Sequence, residues 1–282
     1  RKSIGTKMSM KLKTLSKIMF IGLMTTAARI LGQMAIPPAS QSALPPSFLA
    51  ENGIMPLAFT IYGFFAYSAI CSMFLLIRKR LYGNRIIQGL QYGFCCCAIW
   101  VVYLLEPLPH VAPVDQLTYP LADSFALVVM GILTGLLLGK TQAETSRRKN
   151  KNTVLPVLAI AACFVSWRTI QYLVIDIYSS FDIEPVQTMA WCFLAGLVIA
   201  LIMAWINMYI DAECRIKQSL ILGGLLFGLN LLLFNFFMPL VFAVDVIDLI
   251  IRTCVDIAAV TIGCLTFNSY RHLVKAKEAL VK

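Results

Sequence analysis

Apolar residues run along this chain in eight long blocks, at 15–36, 54–77, 86–107, 119–139, 153–177, 187–210, 217–240 and 246–268. Each block reaches the roughly 20 residues that a helix needs to cross the hydrocarbon core of a bilayer. An open sheet would leave backbone N–H and C=O groups unpaired in lipid, so helices are the element that fits. The pattern predicts an all-α integral membrane protein with eight transmembrane helices. The first block is too long for the apolar region of a cleaved signal peptide and contains Arg29, so it reads as a span.

The polar interruptions alternate in charge. Of the 24 Lys and Arg residues, three lie deep inside apolar blocks, at Arg29, Arg168 and Arg252, while Lys17 and Lys217 sit at the basic ends of theirs. The others fall before the first block, after the second, fourth and sixth, and in the tail. The remaining loops, 37–53, 108–118, 178–186 and 241–245, contain no Lys or Arg. Under the positive-inside rule both termini are expected in the cytoplasm, with the plasma (inner) membrane as the expected location. This divides the chain into a basic N-terminal segment 1–14, a first four-helix block 15–139, a basic linker 140–152, a second four-helix block 153–268 and a tail 269–282.

Composition agrees. Hydrophobic residues make up 59% and charged residues 13%, against about 25% charged in soluble domains. A net charge of +10 would suit nucleic acid, but the cations are spaced as topology determinants and lipid-headgroup contacts, with no interleaved aromatics. The lipid bilayer is therefore the expected polyanionic partner, and nucleic acid is not. Eight of the nine cysteines lie in spans and Cys214 sits at the cytoplasmic face, where palmitoylation is a minor alternative. None lies in an outer loop and no pair has zinc-ligand spacing, so they read as small packing residues. No metal or cofactor is called for.

The two blocks of four resemble each other. Arg29 is followed by Gln33, and Arg168 by Gln171; Gly89 and Gly93 open the third span, and Gly224 and Gly228 the seventh. Pro107 and Pro239 close those spans, while Asp123 and Asp256 occupy the fourth and eighth. Four spans return the chain to its starting side, so such repeats would be parallel, related by an axis along the membrane normal. Transporter sites commonly lie where repeats meet. The stripe Gly131, Gly135, Gly139 and the other glycine pairs read as helix-packing faces, or as faces for a homodimer or a partner membrane subunit.

A lone charge at the centre of a span costs about 2.5–3.5 kcal/mol on the insertion scale, so ionisable residues there are paired, functional or both. Arg29, Asp123, Arg168, Arg252 and Asp256 all fall in the outward half of the bilayer, with Glu106 at the outer end of the third span. In one reading Arg29 pairs with Asp123 and Arg168 with Asp256, locking each half. In the other, at least one arginine faces an outward cavity and binds a carboxylate-bearing solute by a bidentate contact. The candidate substrate-binding set is Arg29, Gln33, Asp123, Arg168, Gln171, Arg252 and Asp256, with Arg29 and Arg168 on the solute. The four tryptophans read as interfacial or packing residues.

Glu106, His110 and Asp115 form the only acid–base constellation in an outer loop. No nucleophile elbow, zinc-protease, P-loop or dinucleotide motif accompanies them. The sequence therefore favours a permease for a small anionic or zwitterionic solute. A non-transporting membrane subunit (anchor, assembly factor or sensor) and a membrane-embedded enzyme acting on lipid are the alternatives.

Overall fold

A computed structural model describes residues 2–36, 44–140, 154–210, 212 and 214–280, with side chains described only from Lys11 to Tyr270, Pro156 excepted. The basic linker lies outside these residues apart from Lys140. Among the described residues, eight helices are long and apolar enough to cross a membrane: Lys11–Ala35, Met55–Ile77, Arg85–Leu104, Asp115–Leu138, Val157–Ile175, Pro185–Tyr209, Arg215–Val241 and Val246–Tyr270. We call them the first to eighth spans. Among the described residues there is no strand, only one isolated bridge between Pro46 and Phe242. The chain is an all-helical polytopic membrane protein.

Several ends differ from the sequence expectation for local reasons. The third span stops at Leu104 rather than 107, because Pro107 removes an N–H and disfavours helical geometry at the residue before it. The fourth begins at Asp115 rather than 119, carrying Pro120 just inside its start. The fifth ends in a π-helical turn, Gln171–Ile175, broken by Asp176 in the left-handed conformation at φ 59°. The eighth continues as helix to Leu280 on the side of the termini.

Packing follows one scheme twice. The first span lies against the second and fourth, and the fourth against the third. Likewise the fifth lies against the sixth and eighth, and the eighth against the seventh. Between the two groups the third span touches the sixth and the seventh, and the seventh also touches the second. Hydrogen bonds tie the groups together: Trp191 Nε1 donates to Val102 O (2.6 Å), Trp100 Nε1 to Asn230 Oδ1 (2.8 Å) and Tyr62 OH to Leu233 O (2.8 Å).

Glycine sets the closest approach. A Cβ on Gly89 would overlap the backbone of Gly131 and Gly135, so the third and fourth spans meet backbone to backbone. The seventh span does not repeat this with Gly224 and Gly228. Its stretch Leu220–Phe227 is π-helical, and the wider turn puts Gly223, five residues before Gly228, on the contact face. Gly223 meets Thr261 and Gly228 meets Ile257, whereas Gly224 has nothing within 4 Å. The i, i+4 glycine pairing expected for that span is corrected to i, i+5.

Polar locks close the side of the termini. Gln88 Nε2 donates to Leu81 O, Gly83 O and Lys140 O, and its Oε1 accepts from Lys140 N. In the second group Gln218 Nε2 donates to Asn207 Oδ1 (2.6 Å), Asn207 Nδ2 to Asn268 Oδ1 (2.8 Å), and Asn268 Nδ2 to Ser219 Oγ (2.9 Å). On the opposite side, the segment after the first span crosses to the last loop, where Ser47 N donates to Val241 O and Ala243 N to Pro45 O.

Candidate functional site

Two sets of buried charges form within the helix bundle. In the first, Arg29 of the first span and Asp123 of the fourth form an ion pair through Nε and Oδ1. One helical turn on, Gln33 lies on the same face and accepts from Arg29 Nη1 at 2.8 Å, while its amide donates to Ile36 O at 3.0 Å. The guanidinium also stands 5.9 Å from the centroid of the Phe59 ring.

The second set is larger and crosses between the groups. Glu106 Oε2, just past the third span, accepts from Arg252 Nη2 at 2.6 Å and from Arg168 Nη2 at 3.3 Å. Arg168 also ion-pairs with Asp256 at 3.3 Å. Asp256 in turn accepts from Gln171 Nε2 at 2.8 Å and from the Tyr103 hydroxyl at 2.9 Å. Arg168 has no exposed surface. Its guanidinium lies 5.2, 5.8 and 5.9 Å from the ring centroids of Trp191, Tyr172 and Tyr103, close enough for cation–π attraction at a fully buried position. Two cations face two carboxylates, so the set is neutral. Its hydrogen bonding is incomplete: Arg168 Nε and Nη1 and Glu106 Oε1 have no protein partner.

A cavity of about 170 Å³ separates the two sets. Arg29 and Asp123 line it from the first, and Glu106 and Arg252 from the second, with His110 beside them. Tyr103, Phe234 and Phe237 supply apolar wall. The charges lining the cavity cancel, as two arginines are matched by one aspartate and one glutamate.

His110 belongs to the loop between the third and fourth spans. Its Nδ1 lies 3.1 Å from the Tyr178 hydroxyl in the loop between the fifth and sixth, and its ring packs near Phe242. Burial, together with the Arg252 charge and against the opposing pull of Glu106, lowers its pKa to about 4, so the imidazole is neutral at neutral pH. Burial also raises the Tyr178 hydroxyl above its ordinary value.

Of the seven residues picked from sequence, Arg29, Asp123 and Arg252 line the cavity. Gln33 buttresses Arg29 from behind. Arg168, Gln171 and Asp256 lie together in the sealed part of the second set. Both pairings anticipated from sequence, Arg29 with Asp123 and Arg168 with Asp256, form; Arg252 pairs with Glu106. The candidate acid–base trio is arranged differently, because His110 turns to Tyr178 and Asp115 takes Thr118 Oγ1 at 3.1 Å. Sequence reasoning left Glu106 out of the binding set although it carries both arginines. It also placed Trp191 among packing residues without seeing that it covers Arg168. The sequence marks Glu106 only as the outer end of a helix, and its two arginine partners become visible only in the packed structure. No family model, curated protein or solved structure matches the chain.

Proposed function

We propose that this protein is a permease for a small zwitterionic solute, bound in the cavity between two parallel four-helix repeats, with both termini in the cytoplasm. The observation that carries the reading is a cavity between the two halves whose walls present an ion pair on each side and no net charge. A net-charged solute sealed there would be an uncompensated buried charge, at a cost of several kcal/mol. A zwitterion brings its own balance, with its carboxylate meeting Arg29 or Arg252 and its cationic end meeting a carboxylate. This narrows the solute class from anionic or zwitterionic to zwitterionic. The volume fits a small molecule: an apolar cavity of about 150 Å³ holds benzene, and drug-sized ligands need about 300 Å³ or more.

The repeat reading is supported by the doubled packing scheme and by the Arg–Asp pair that joins the first span to the fourth and the fifth to the eighth. The orientation rests on loop charge. Arg168, Gln171 and Asp256 then act as a buttress that positions Arg252 and Glu106, while Arg29, Asp123, Arg252 and Glu106 contact solute. This reassigns Arg168 from contact to support.

The test is a thermal-shift panel on detergent-purified protein with small anions, cations and zwitterions, run beside Arg29→Ala. Zwitterions alone are expected to raise the melting temperature, and Arg29→Ala is expected to lose that response while remaining folded. Stabilisation by simple anions alone, or by none of the panel, would overturn the reading. Uptake of the stabilising solute into proteoliposomes then separates transport from binding.

A further inference from the structure

Among the side chains that line the cavity, one buried polar atom has no hydrogen-bond partner in the protein. It is Glu106 Oε1. The residue is 2% exposed, and its other oxygen is saturated, taking both Arg252 and Arg168. An ionised carboxylate has room for about four hydrogen bonds and can only accept them. Leaving one of its oxygens unpaired away from water costs free energy that a donor from the ligand would recover. Arg29 and Asp123, across the cavity, already hold each other through Nε and Oδ1.

We infer that Glu106 is the specificity-determining residue of the cavity and that Oε1 receives an N–H of the solute, so that the site selects zwitterions carrying a primary or secondary ammonium over fully N-alkylated ones. The inference rests on the permease reading above and deepens it. Glu106 keeps this selectivity by a division of labour. Two arginines on Oε2 fix the orientation of the carboxylate, and Oε1 is left to read the ligand. Neither Glu106 nor Arg252 has a charged counterpart at the matching position of the other half. Counting back four residues from Asp123, as Arg252 is four before Asp256, gives Tyr119. The residue before Pro239, as Glu106 precedes Pro107, is Met238. Both line the cavity and neither carries a charge.

The experiment measures binding to the wild-type protein by thermal shift and by calorimetry, using 5-aminopentanoate and trimethylglycine. These are zwitterions with the same number of non-hydrogen atoms, and only the first has N–H donors. A hydrogen bond to a charged acceptor predicts that 5-aminopentanoate binds about tenfold or more tightly. Equal binding of the two would overturn the role of Glu106 and leave the permease reading standing. If neither zwitterion binds at any accessible concentration, the permease reading itself falls, and this inference with it. Glu106→Gln supplies a second readout. The variant removes the charge that meets the cationic end of either solute, so both are expected to bind more weakly. The larger factor is expected for 5-aminopentanoate, because it also loses its charged N–H acceptor, which narrows the preference. An unaltered preference in Glu106→Gln would also overturn the assignment. Because the comparison of the two solutes needs no variant, a variant that fails to fold does not remove the test.

Discussion

The two halves carry the same short vocabulary, an arginine followed by a glutamine in one span and an aspartate three spans later, and use it differently. Arg29 and Asp123 stand at the wall of a cavity, 8% and 5% exposed, with one ion pair and one buttressing amide. Arg168 and Asp256 are sealed in, at 0% and 1%, beneath two tyrosines and a tryptophan, and they share their charge with Glu106 and Arg252. The lesson concerns surroundings. At the cavity wall an ion pair can exchange partners with a ligand at moderate cost. Where the pair is fully buried, it is held by the penalty for separating it, which exceeds any gain from rearrangement. Sequence similarity between the halves therefore does not imply equal roles for the two arginines.

The strongest way to break this comparison is to remove Arg168. Arg168→Met leaves Asp256 and Glu106 with one cation between them in a buried site, and breaking a buried pair from one side typically costs ~3–5 kcal/mol. The variant is expected to lose most of its yield and monodispersity in size-exclusion chromatography. Adding Asp256→Leu removes the orphaned charge and leaves Glu106 with Arg252. The double variant is thus expected to recover part of the loss. A single variant that melts like the wild type would mean the network is not the structural element argued here.

Arg29→Ala is the contrasting case. Its partner Asp123 lines the cavity and is not packed among side chains on every side, so the expected cost is smaller, about 1–3 kcal/mol. Solute binding and uptake are nonetheless expected to vanish. If Arg29→Ala destabilises the protein as much as Arg168→Met does, the distinction between a working pair and a structural pair collapses.

Much of this contrast was legible in the sequence. The eight spans follow from block length, and the pairs Arg29–Asp123 and Arg168–Asp256 follow from residues of opposite sign at matching depth. What stayed hidden depends on where chain ends and reversals tuck in. Glu106 read as the outer end of a helix, and nothing in its neighbours signals that the chain turns it inward between Arg168 and Arg252. The register of the seventh span was hidden for a related reason. A period of 3.6 puts Gly224 below Gly228, and only the π-helical stretch, which packs Gly223 on Thr261, shifts the face. The cavity is a property of how two halves meet, and no periodicity within either half encodes it.

The glutamines sharpen the comparison at lower cost. Gln171 donates to Asp256 from a fully buried position, so Gln171→Ala removes a charge-assisted bond and is expected to cost ~1.5–3 kcal/mol. Gln33 is partly exposed and bonds Arg29, which lines the cavity. Gln33→Ala is expected to cost ~1 kcal/mol or less, while weakening solute binding more than Gln171→Ala does. Thermal melts with and without solute on the two variants give both quantities. Reversed rankings would place the working pair in the second half.

The smallest expected effect comes from protons at the edge of the second set. His110 titrates near 6.5 in an unfolded chain and near about 4 in the folded protein, held neutral by burial and by Arg252. Between those two values the unfolded state carries the extra proton, so the stability that neutral His110 retains at higher pH is lost as pH falls through this window. The imidazole is partly exposed, which reduces the effect to a fraction of what full burial would give. His110→Gln cannot take up the proton. Its melting temperature is therefore expected to fall less than that of the wild type between pH 6.5 and about 4, and melts at several pH values for both proteins measure the difference. The same acidification adds positive charge next to Arg252, whereas the Arg29–Asp123 pair has no such neighbour among the groups that shift His110. Acid is thus expected to weaken the second set selectively, so the slope removed by His110→Gln should survive in Arg29→Ala. If Arg29→Ala flattens that slope as fully as His110→Gln does, the two sets are electrically one site and their separation by the cavity has no energetic meaning.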